Sequence, residues 1–245
     1  MTSIWVLATL TLLSFSTFAA DNCTLSDPSL TLQTYTLKPQ TEQVKMYWQK
    51  ENGEAYGSLR SLLASIDNDG RVQMAMNGGI YDKEYAPLGL YVENGEQKVG
   101  LNLASGGGNF FIRPGGVFYV KGKRYGIARL KAFKSLKGVD FAVQSGPILI
   151  ENGAINSRLK PSVESHKIRN GVGITDSGDV VFMMSQQGSN FYDFACYAKS
   201  KLKIRQMLYL DGTISKMYQK GKGVPWQYHP FVTMITVEKK EGQKQ

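Results

Sequence analysis

The sequence predicts an α+β fold, a single domain with a mixed, largely antiparallel β-sheet core and a few flanking helices. Short apolar segments bounded by Gly, Asn and Asp recur along the 245-residue chain, a pattern typical of strands joined by tight turns. Only residues 56–66 and 190–202 carry apolar side chains at the spacing of one helical face. No linker-like stretch divides the chain, so one large core is expected.

Alternation and short apolar runs define the individual strands. The predicted strands cover residues 30–37, 44–48, 72–76, 87–93, 110–112, 117–120, 147–151, 171–175, 180–184, 206–210 and 231–237. Two of them end in the same Glu-Asn-Gly sequence, at residues 93–95 and 151–153, which favours hairpin turns. The basic segment 126–136 is predicted to be a surface helix or loop.

The first twenty residues resemble a secretory signal. They carry no charged side chain, contain an apolar run at residues 4–13 and end in Ala19-Ala20. The run is too short to span a membrane comfortably. We therefore expect cleavage before Asp21, a mature domain of residues 21–245, and a secreted or periplasmic protein without stable membrane insertion.

Export places the two cysteines in an oxidising compartment. Cys23 and Cys196 are the only cysteines of the chain, and a disulfide between them would tie the N-terminus to the second predicted helix. Two free buried thiols are the alternative, because sequence does not measure their separation. The disulfide is favoured.

The formal net charge is +9, so the protein attracts anions. Nucleic acid is not an expected partner of an exported chain that lacks a basic recognition motif. An anionic substrate, an acidic polysaccharide or a membrane surface fits the charge better.

The strand at 206–210 ends in Asp211-Gly212, a pair that favours a turn. A carboxylate at the end of a buried strand is held rigidly and would project into a cleft, where a catalytic acid belongs. A purely structural Asp-Gly turn is the competing interpretation. Other segments of the chain also carry groups that could bind a ligand, and they favour a functional role for Asp211.

Two further segments carry groups that could bind a ligand. Asn77-Gly78-Gly79 follows a predicted strand, and adjacent glycines let a backbone approach a ligand closely. Residues 160–170 are polar and include His166 and Arg169, which are able to hold an anion. A solitary histidine is more often structural, but His166 stands beside basic residues.

Taken together, these motifs resemble the phosphodiester glycosidase family. The resemblance rests on Met76-Asn77-Gly78-Gly79 with Tyr81-Asp82, Gln144-Ser145-Gly146-Pro147 with Leu149, Arg169-Asn170-Gly171-Val172-Gly173, and Leu210-Asp211-Gly212 with Ser215. The family includes the lysosomal uncovering enzyme, which removes N-acetylglucosamine from a phosphodiester-linked mannose. Thr213 and Ile214 replace the longer glycine run of that enzyme's relatives, so the chain is more similar to the exported bacterial branch.

The resemblance and the residue chemistry imply roles for these side chains. Asp211 would be the catalytic base or nucleophile at the anomeric carbon. Arg169 would hold the phosphate, with His166 as second donor or general acid, and Ser215 would orient Asp211. Asp82 or Glu164 would be the second carboxylate, and the choice between them stays open. Hydrogen bonds to the substrate would come from Asn77, Gly78, Gly79, Ser145, Gly146 and Gly212.

Two other functions compete with the glycosidase. A phosphodiesterase would direct water to phosphorus, usually with metal ions, but the sequence shows no dense cluster with metal-ligand spacing. A non-catalytic binder of anionic cell-surface glycans would use the same basic groove. For the glycosidase, the expected partner is a phosphorylated glycan or sugar phosphodiester. No cofactor is evident, and a divalent cation is left open.

Overall fold

The computed structural model describes residues 23–134, 137–161 and 164–242. The predicted signal segment and its cleavage position before Asp21 lie outside the described residues. The prediction of one α+β domain is confirmed: within the described ranges, strands in three sheets pair antiparallel, with three α-helices and one short 3-10 helix. In that part of the chain, no helix is both long enough and apolar enough to cross a membrane.

The elements follow one another in this order: β1 (Leu32–Thr36), β2 (Glu42–Tyr47), α1 (Leu59–Ile66), β3 (Val72–Asn77), β4 (Tyr91–Glu93), β5 (Glu96–Val99), a 3-10 helix (Asn109–Phe111), β6 (Gly116–Lys121), β7 (Arg124–Arg129), α2 (Leu130–Phe133), β8 (Phe141–Ser145), β9 (Ile148–Glu151), β10 (Ala154–Ile155), β11 (Asn170–Thr175), β12 (Val180–Ser185), α3 (Phe191–Leu202), β13 (Ile204–Tyr209), β14 (Met217–Gln219) and β15 (Met234–Lys239).

The three sheets surround one central core. Sheet one has the order β1-β12-β11-β13-β9-β10, sheet two β14-β3-β15-β2 and sheet three β5-β4-β8-β6-β7. Phe182 from sheet one, Met46 from sheet two and Phe118 from sheet three all belong to the same buried cluster. Because all three sheets bury apolar side chains in one place, none could be removed without exposing the others.

Each sheet also packs against a helix on its other face. Helix α3 places Phe194 and Ala198 against sheet one, and α1 places Leu59 and Leu62 in a buried cluster with sheet two. The short α2 belongs to the equivalent cluster of sheet three. The Asn190 side chain caps α3 by accepting a hydrogen bond from the Asp193 amide at 2.7 Å, which matches one of the two capping residues that the sequence offers.

Two local predictions were wrong, the second only in part. Residues 110–112 do not form a strand, because Asn109–Phe111 is a 3-10 helix; an apolar run of three residues carries no period that separates the two. For segment 126–136 the prediction of a helix or loop is wrong at residues 126–129, since β7 pairs with β6 along its whole length, and it is confirmed at residues 130–133, which form α2. Tyr125 and Ile127 pack against the central core, which is the alternation of a strand.

Cys23 and Cys196 form a disulfide, as the sequence favoured. It joins the start of the described chain to the middle of α3. Ser26 reinforces this attachment, because its amide donates to the buried Asp193 carboxylate at 2.9 Å. The N-terminal segment is therefore fixed against the helix that covers sheet one.

One strand from each sheet ends at the same place. β3 ends at Asn77, β8 at Ser145 and β13 at Tyr209, and β11 starts beside them at Asn170. Hydrogen bonds described below connect these strand ends. This is the part of the fold that positions the candidate site.

Candidate active site

Asp211 lies just beyond the end of β13, and hydrogen bonds fix its backbone. Its amide donates to Oδ1 of Asn170 at 2.7 Å, and its carbonyl accepts from the Asn170 amide at 3.1 Å. The Gly212 amide donates to Oδ1 of the Asp211 carboxylate at 2.7 Å. The carboxyl group therefore has a defined orientation rather than the freedom of a surface side chain.

The Asn170 side chain connects sheet one to sheet two. Its Nδ2 donates to the Asn77 carbonyl at 3.0 Å and to Asn77 Oδ1 at 3.1 Å. The Asn77 Nδ2 group is buried, with no hydrogen bond of normal geometry to the described residues. It nevertheless lies close enough to Asp211 to favour the charged form of the carboxylate. An amide donor with spare capacity thus stands beside the carboxyl group.

Ser145 and Ser215 hold the backbone on either side of Asp211. Ser145 Oγ donates to the Leu210 carbonyl at 2.7 Å, which ties sheet three to the same point. Ser215 Oγ donates to the Gly212 carbonyl at 2.9 Å and lies 3.4 Å from the Asp211 carbonyl. Both hydroxyl groups bind main-chain oxygens, so they position the loop and not the carboxylate itself.

The glycines of the predicted site lie where chain segments approach closely. A Cβ on Gly212 would stand 2.4 Å from the Tyr209 hydroxyl, and one on Gly78 would stand 2.4 Å from Thr233 Oγ1. Gly79 and Gly146 are buried too, and added Cβ atoms would approach neighbouring protein atoms to 2.8 Å. Glycine at these positions lets the strand ends converge.

Burial raises the pKa of Asp211 from 3.8 to about 7. Removal from water disfavours the charged carboxylate, and the bonds from Gly212 and Asn77 offset this only in part. The residue keeps some solvent access, so the group can exchange protons. A carboxyl group with a pKa near neutrality can serve as a base at physiological pH.

Arg169 is a buried cation with only 1% of its surface exposed. Its Nε donates to the Ser189 carbonyl at 3.0 Å, and its Nη2 donates to the Ser165 carbonyl at 2.7 Å. Its guanidinium carbon lies 4.1 Å from the centre of the Phe191 ring. None of the carboxylates in the described residues forms an ion pair with it. Such a cation favours a bound anion.

Tyr209 lies within electrostatic reach of both the cation and the carboxyl group. Its hydroxyl lies 3.5 Å from Arg169 Nη1. Burial and the Asp211 charge raise the pKa of Tyr209 to about 12, while Arg169 and the Asn109 side chain act in the opposite direction. Both Asp211 and Arg169 therefore act on the pKa of the same phenol. The two residues lie on the same side of the molecule.

A cavity of about 170 Å³ opens beside Arg169. Its lining residues combine cations, polar groups and one aromatic ring, namely Asn109, Ile112, Arg158, Leu159, Lys160, Ser165, Arg169 and Phe191. No acidic side chain lines it. Its chemistry suits a phosphate group.

Tyr81 lies on another side of Asp211. Burial raises the pKa of Tyr81, and the charge of Asp211 adds to this effect. The Tyr81 ring stacks on Tyr85, with 5.8 Å between ring centres and 19° between planes. Tyr85 is 54% exposed, so an aromatic surface extends from the carboxyl group to solvent.

Among the described residues, no hydrogen bond joins Asp211 to the other predicted acid-base residues. His166 is exposed, and it acts weakly on Asp27, whose pKa is lowered mainly by hydrogen bonds from Ser29. Glu164 is also exposed. Asp82 follows Tyr81, and its Oδ1 accepts from the Glu84 and Ala86 amides at 3.0 and 2.9 Å, which organises a turn.

Several residues of the site were not identified from the sequence. Tyr209 precedes Asp211 by two positions, and the period of a strand puts both on one face, so this signal was available. Asn170 belonged to a recognised motif without an assigned role. Phe191 was assigned to the core, although it is only partly buried and contacts Arg169. Asn109 lies 100 positions before Tyr209, and no local pattern joins them.

The fold and site together define an α+β domain in which a cavity with cationic lining opens beside the start of β11, and a carboxyl group of raised pKa follows the end of the neighbouring strand β13. The chain belongs to the phosphodiester glycosidase family, because the model of that family matches residues 70–237. The matched segment contains the ends of β3, β8 and β13 and the start of β11.

Individual proteins are similar to this chain in sequence or in fold. The chain is 69% identical over 231 residues to the Escherichia coli (strain K12) protein named "Uncharacterized protein YigE", covering 94% of this chain and 91% of that protein. The catalytic domain of zebrafish N-acetylglucosamine-1-phosphodiester alpha-N-acetylglucosaminidase, auto-inhibited by its pro-peptide, has a similar structure. It matches with a TM-score of 0.60 and 13% identity, over 88% of this chain and 85% of that domain.

A hypothetical protein from Synechocystis is similar in the same way. Its TM-score is 0.56 at 13% identity, and the match covers 86% of this chain and 59% of that protein. At such identities the two structural matches establish a shared fold.

Asn170→Ala should destabilise the protein by about 2–4 kcal/mol, because it removes the side-chain bonds to Asn77 and Asp211 and leaves their buried groups unpaired. Asn170→Asp keeps the size and the acceptor but cannot donate to Asn77, so it should be destabilising too. Urea unfolding measures both. Asn52→Ala, at an exposed position, should change the free energy of unfolding little; equal values for Asn170→Ala and wild type would contradict the structural role.

Asp211→Asn should stabilise the protein increasingly as pH rises from about 4 to about 8. The folded-state pKa of about 7 lies above the ordinary 3.8, so the folded state holds the proton longer and wild-type stability falls across this window. The gain should reach at most about 4 kcal/mol above pH 7. Urea unfolding at several pH values measures it, with the exposed Asp176→Asn as control; a pH-independent difference would contradict a buried carboxyl group.

Proposed function

We propose that this protein hydrolyses the glycosidic bond of a sugar-1-phosphodiester. The observation that carries the proposal is that two groups act on Tyr209: a buried guanidinium that no carboxylate of the described residues pairs with, and a carboxyl group of raised pKa. A sugar phosphodiester needs both groups, since its phosphate is anionic and its anomeric carbon becomes positively charged in the transition state.

The phosphate would bind at Arg169. Two of the guanidinium nitrogens, Nε and Nη2, already donate to Ser189 and Ser165, which fixes the plane of the group. Nη1 has only a long contact of 3.5 Å with the Tyr209 hydroxyl, so it retains donor capacity for a ligand. A bound phosphate would offset the cost of burying this cation and would be stabilised further as it leaves with additional charge.

The Asp211 carboxylate would act at the anomeric carbon. In one route it deprotonates a water whose oxygen bonds to that carbon; in the other it attacks first and water then releases the glycosyl group. In both, the bond between the anomeric carbon and the phosphate oxygen breaks, and a phosphate monoester leaves with the electron pair. Because phosphate is a good leaving group, the reaction places little demand on a general acid.

The sugar would occupy the space between Asp211 and the Tyr81–Tyr85 stack. Aromatic faces pack against the apolar faces of sugar rings, and Asn77 Nδ2 has a free donor for a hydroxyl group. The short sequence distance from Tyr81 favours Asp82 over Glu164 as second carboxylate. His166 is solvent-exposed, and its role as second phosphate donor rests on its place next to Ser165, which binds Arg169.

The proposal also includes the location of the protein and its cofactor requirement. The Cys23–Cys196 disulfide is typical of an oxidising compartment, which supports a secreted or periplasmic location. The described residues include no group of three or more His, Cys, Asp or Glu side chains that could hold a metal ion. The expectation from the sequence, that no cofactor is evident and a divalent cation is left open, stays a prediction.

Hydrolysis of an N-acetylglucosamine-1-phosphate methyl diester in oxygen-18 water tests the reaction. We expect the released methyl phosphate to contain no label, because water attacks carbon, and kcat/KM to rise with pH through about 7 as Asp211 loses its proton. Asp211→Asn should reduce turnover by about 10²–10⁴-fold. Phosphorus NMR reads the isotope shift and chromatography measures the sugar.

The outcomes separate the competing functions. Label in the phosphate would establish attack at phosphorus. If a panel of sugar-1-phosphodiesters is bound but none is cleaved by wild-type protein, the chain is a binder and the glycosidase is rejected.

Arg169→Lys should lower kcat/KM for the diester by about ten- to a hundredfold, because an ammonium group keeps the charge but loses the planar set of donors. Steady-state kinetics measure this, and thermal unfolding verifies that the variant is folded. Lys167→Gln, which removes an exposed charge two residues away, is the matched control and should retain activity. If Arg169→Lys had the same kinetic constants as the wild-type protein, the role of Arg169 in binding the phosphate would be contradicted.

A further inference from the structure

Two larger cavities continue from the pocket at Arg169. Arg158 lines both that pocket and a second cavity of about 470 Å³. Arg113, Pro114 and Arg129 line both the second cavity and a third of about 390 Å³. Because neighbouring cavities share these lining residues, the three cavities lie side by side, and we call them together the basic groove.

Cations occur along the whole length of the basic groove. They are Arg169, Lys160 and Arg158 near the site, then Arg113, Arg129 and Lys131 farther along. Among the described residues, only Arg129 of this set forms an ion pair, and its partner Glu151 is also the only acidic residue lining the three cavities. The groove therefore carries a positive charge that the protein itself does not neutralise.

The exposure of these cationic side chains distinguishes them from cations that are held in a structural network of hydrogen bonds. Arg158, Lys160, Arg129 and Lys131 are all exposed, and no side-chain hydrogen bond holds Arg158, Lys160 or Lys131 in the part of the chain that the structure describes. Guanidinium groups match phosphate oxygens through paired N–H donors. The two larger cavities also fall in the size range of small-molecule sites, about 300–1,000 Å³.

We propose that the basic groove binds the leaving-group side of an extended substrate, a chain of sugar units joined by successive phosphodiester bonds. This inference rests on the proposed function, which places the terminal sugar at Asp211 and the first phosphate at Arg169. The groove begins where that phosphate binds, so it receives whatever is esterified to it. Further phosphates of the chain then lie against Arg158, Arg113 and Lys131.

The direction of the groove determines the order of binding. The sugar that is released lies at Asp211, and the remaining chain continues from the phosphate at Arg169. The enzyme therefore releases the terminal sugar whose anomeric carbon is bonded to the first phosphate of the chain. A monomeric diester fills only the first pocket and leaves the groove empty.

Binding to the Asp211→Asn protein tests the inference without turnover. The probes are a synthetic chain of three sugar units joined by phosphodiester bonds and the corresponding single-sugar methyl phosphodiester, titrated by calorimetry. We expect the chain to bind more tightly than the single unit, with an advantage that shrinks at high salt. Adding Arg129→Gln and Lys131→Gln should weaken chain binding by about tenfold and leave single-unit binding unchanged, since neither residue lines the Arg169 pocket.

Two further variants test whether the loss of chain binding comes from the groove or from a general effect of charge or folding. Lys123→Gln with Arg124→Gln removes the same charge around the other end of β7, outside all three cavities, and should leave chain binding unchanged. Glu151→Gln removes the acidic residue of the groove and should tighten chain binding a few-fold.

Three results would overturn the inference: equal affinity for chain and single unit, an equal loss in both double variants, or weaker chain binding by Glu151→Gln. Because binding is measured in a protein that does not turn over, these results are independent of hydrolysis. Failure of the wild-type protein to release sugar would instead overturn the proposed function, even where the chain binds in the groove.

Discussion

The side-chain amide of Asn170 is the interaction on which the site depends. It accepts from the Asp211 amide and donates to Asn77, so one group fixes the ends of strands from two sheets. Ser145 adds the third sheet through the Leu210 carbonyl. Each buried bond contributes only about 1 kcal/mol, but an unpaired partner costs about 1–3 kcal/mol, and this asymmetry holds the strand ends together.

That rigidity allows two charged groups to be buried close to each other without neutralising one another. Arg169 is held by carbonyl oxygens and aromatic rings rather than by a carboxylate. Among the described residues, no ion pair joins Asp211 to Arg169, and the pKa of Asp211 rises because its burial is not compensated by a cation. A direct ion pair would have stabilised both charges and would have left neither available to a phosphorylated sugar.

Much of the fold was predictable, because it rests on local periodicity and turn chemistry. The helices at α1 and α3, the hairpin of β11 and β12 and the strand that leads to Asp211 all follow repeating patterns. The 3-10 helix at Asn109–Phe111 and strand β7 were missed. In both cases tertiary packing decided the conformation, since Phe110 is buried in one and Tyr125 packs against the core in the other.

The sequence by itself determined the family, the α+β class and the motifs that supply Asn77, Ser145, Arg169 and Asp211, because these are carried by residue type and order. Only the tertiary structure decided which of these groups meet and in what electrostatic state. Burial and contacts between distant segments raise the pKa of Asp211 and bring Tyr209 within reach of two charged groups. They also form the cavities that share Arg158 and Arg113. No local pattern encodes a distance between strands that are far apart in the chain.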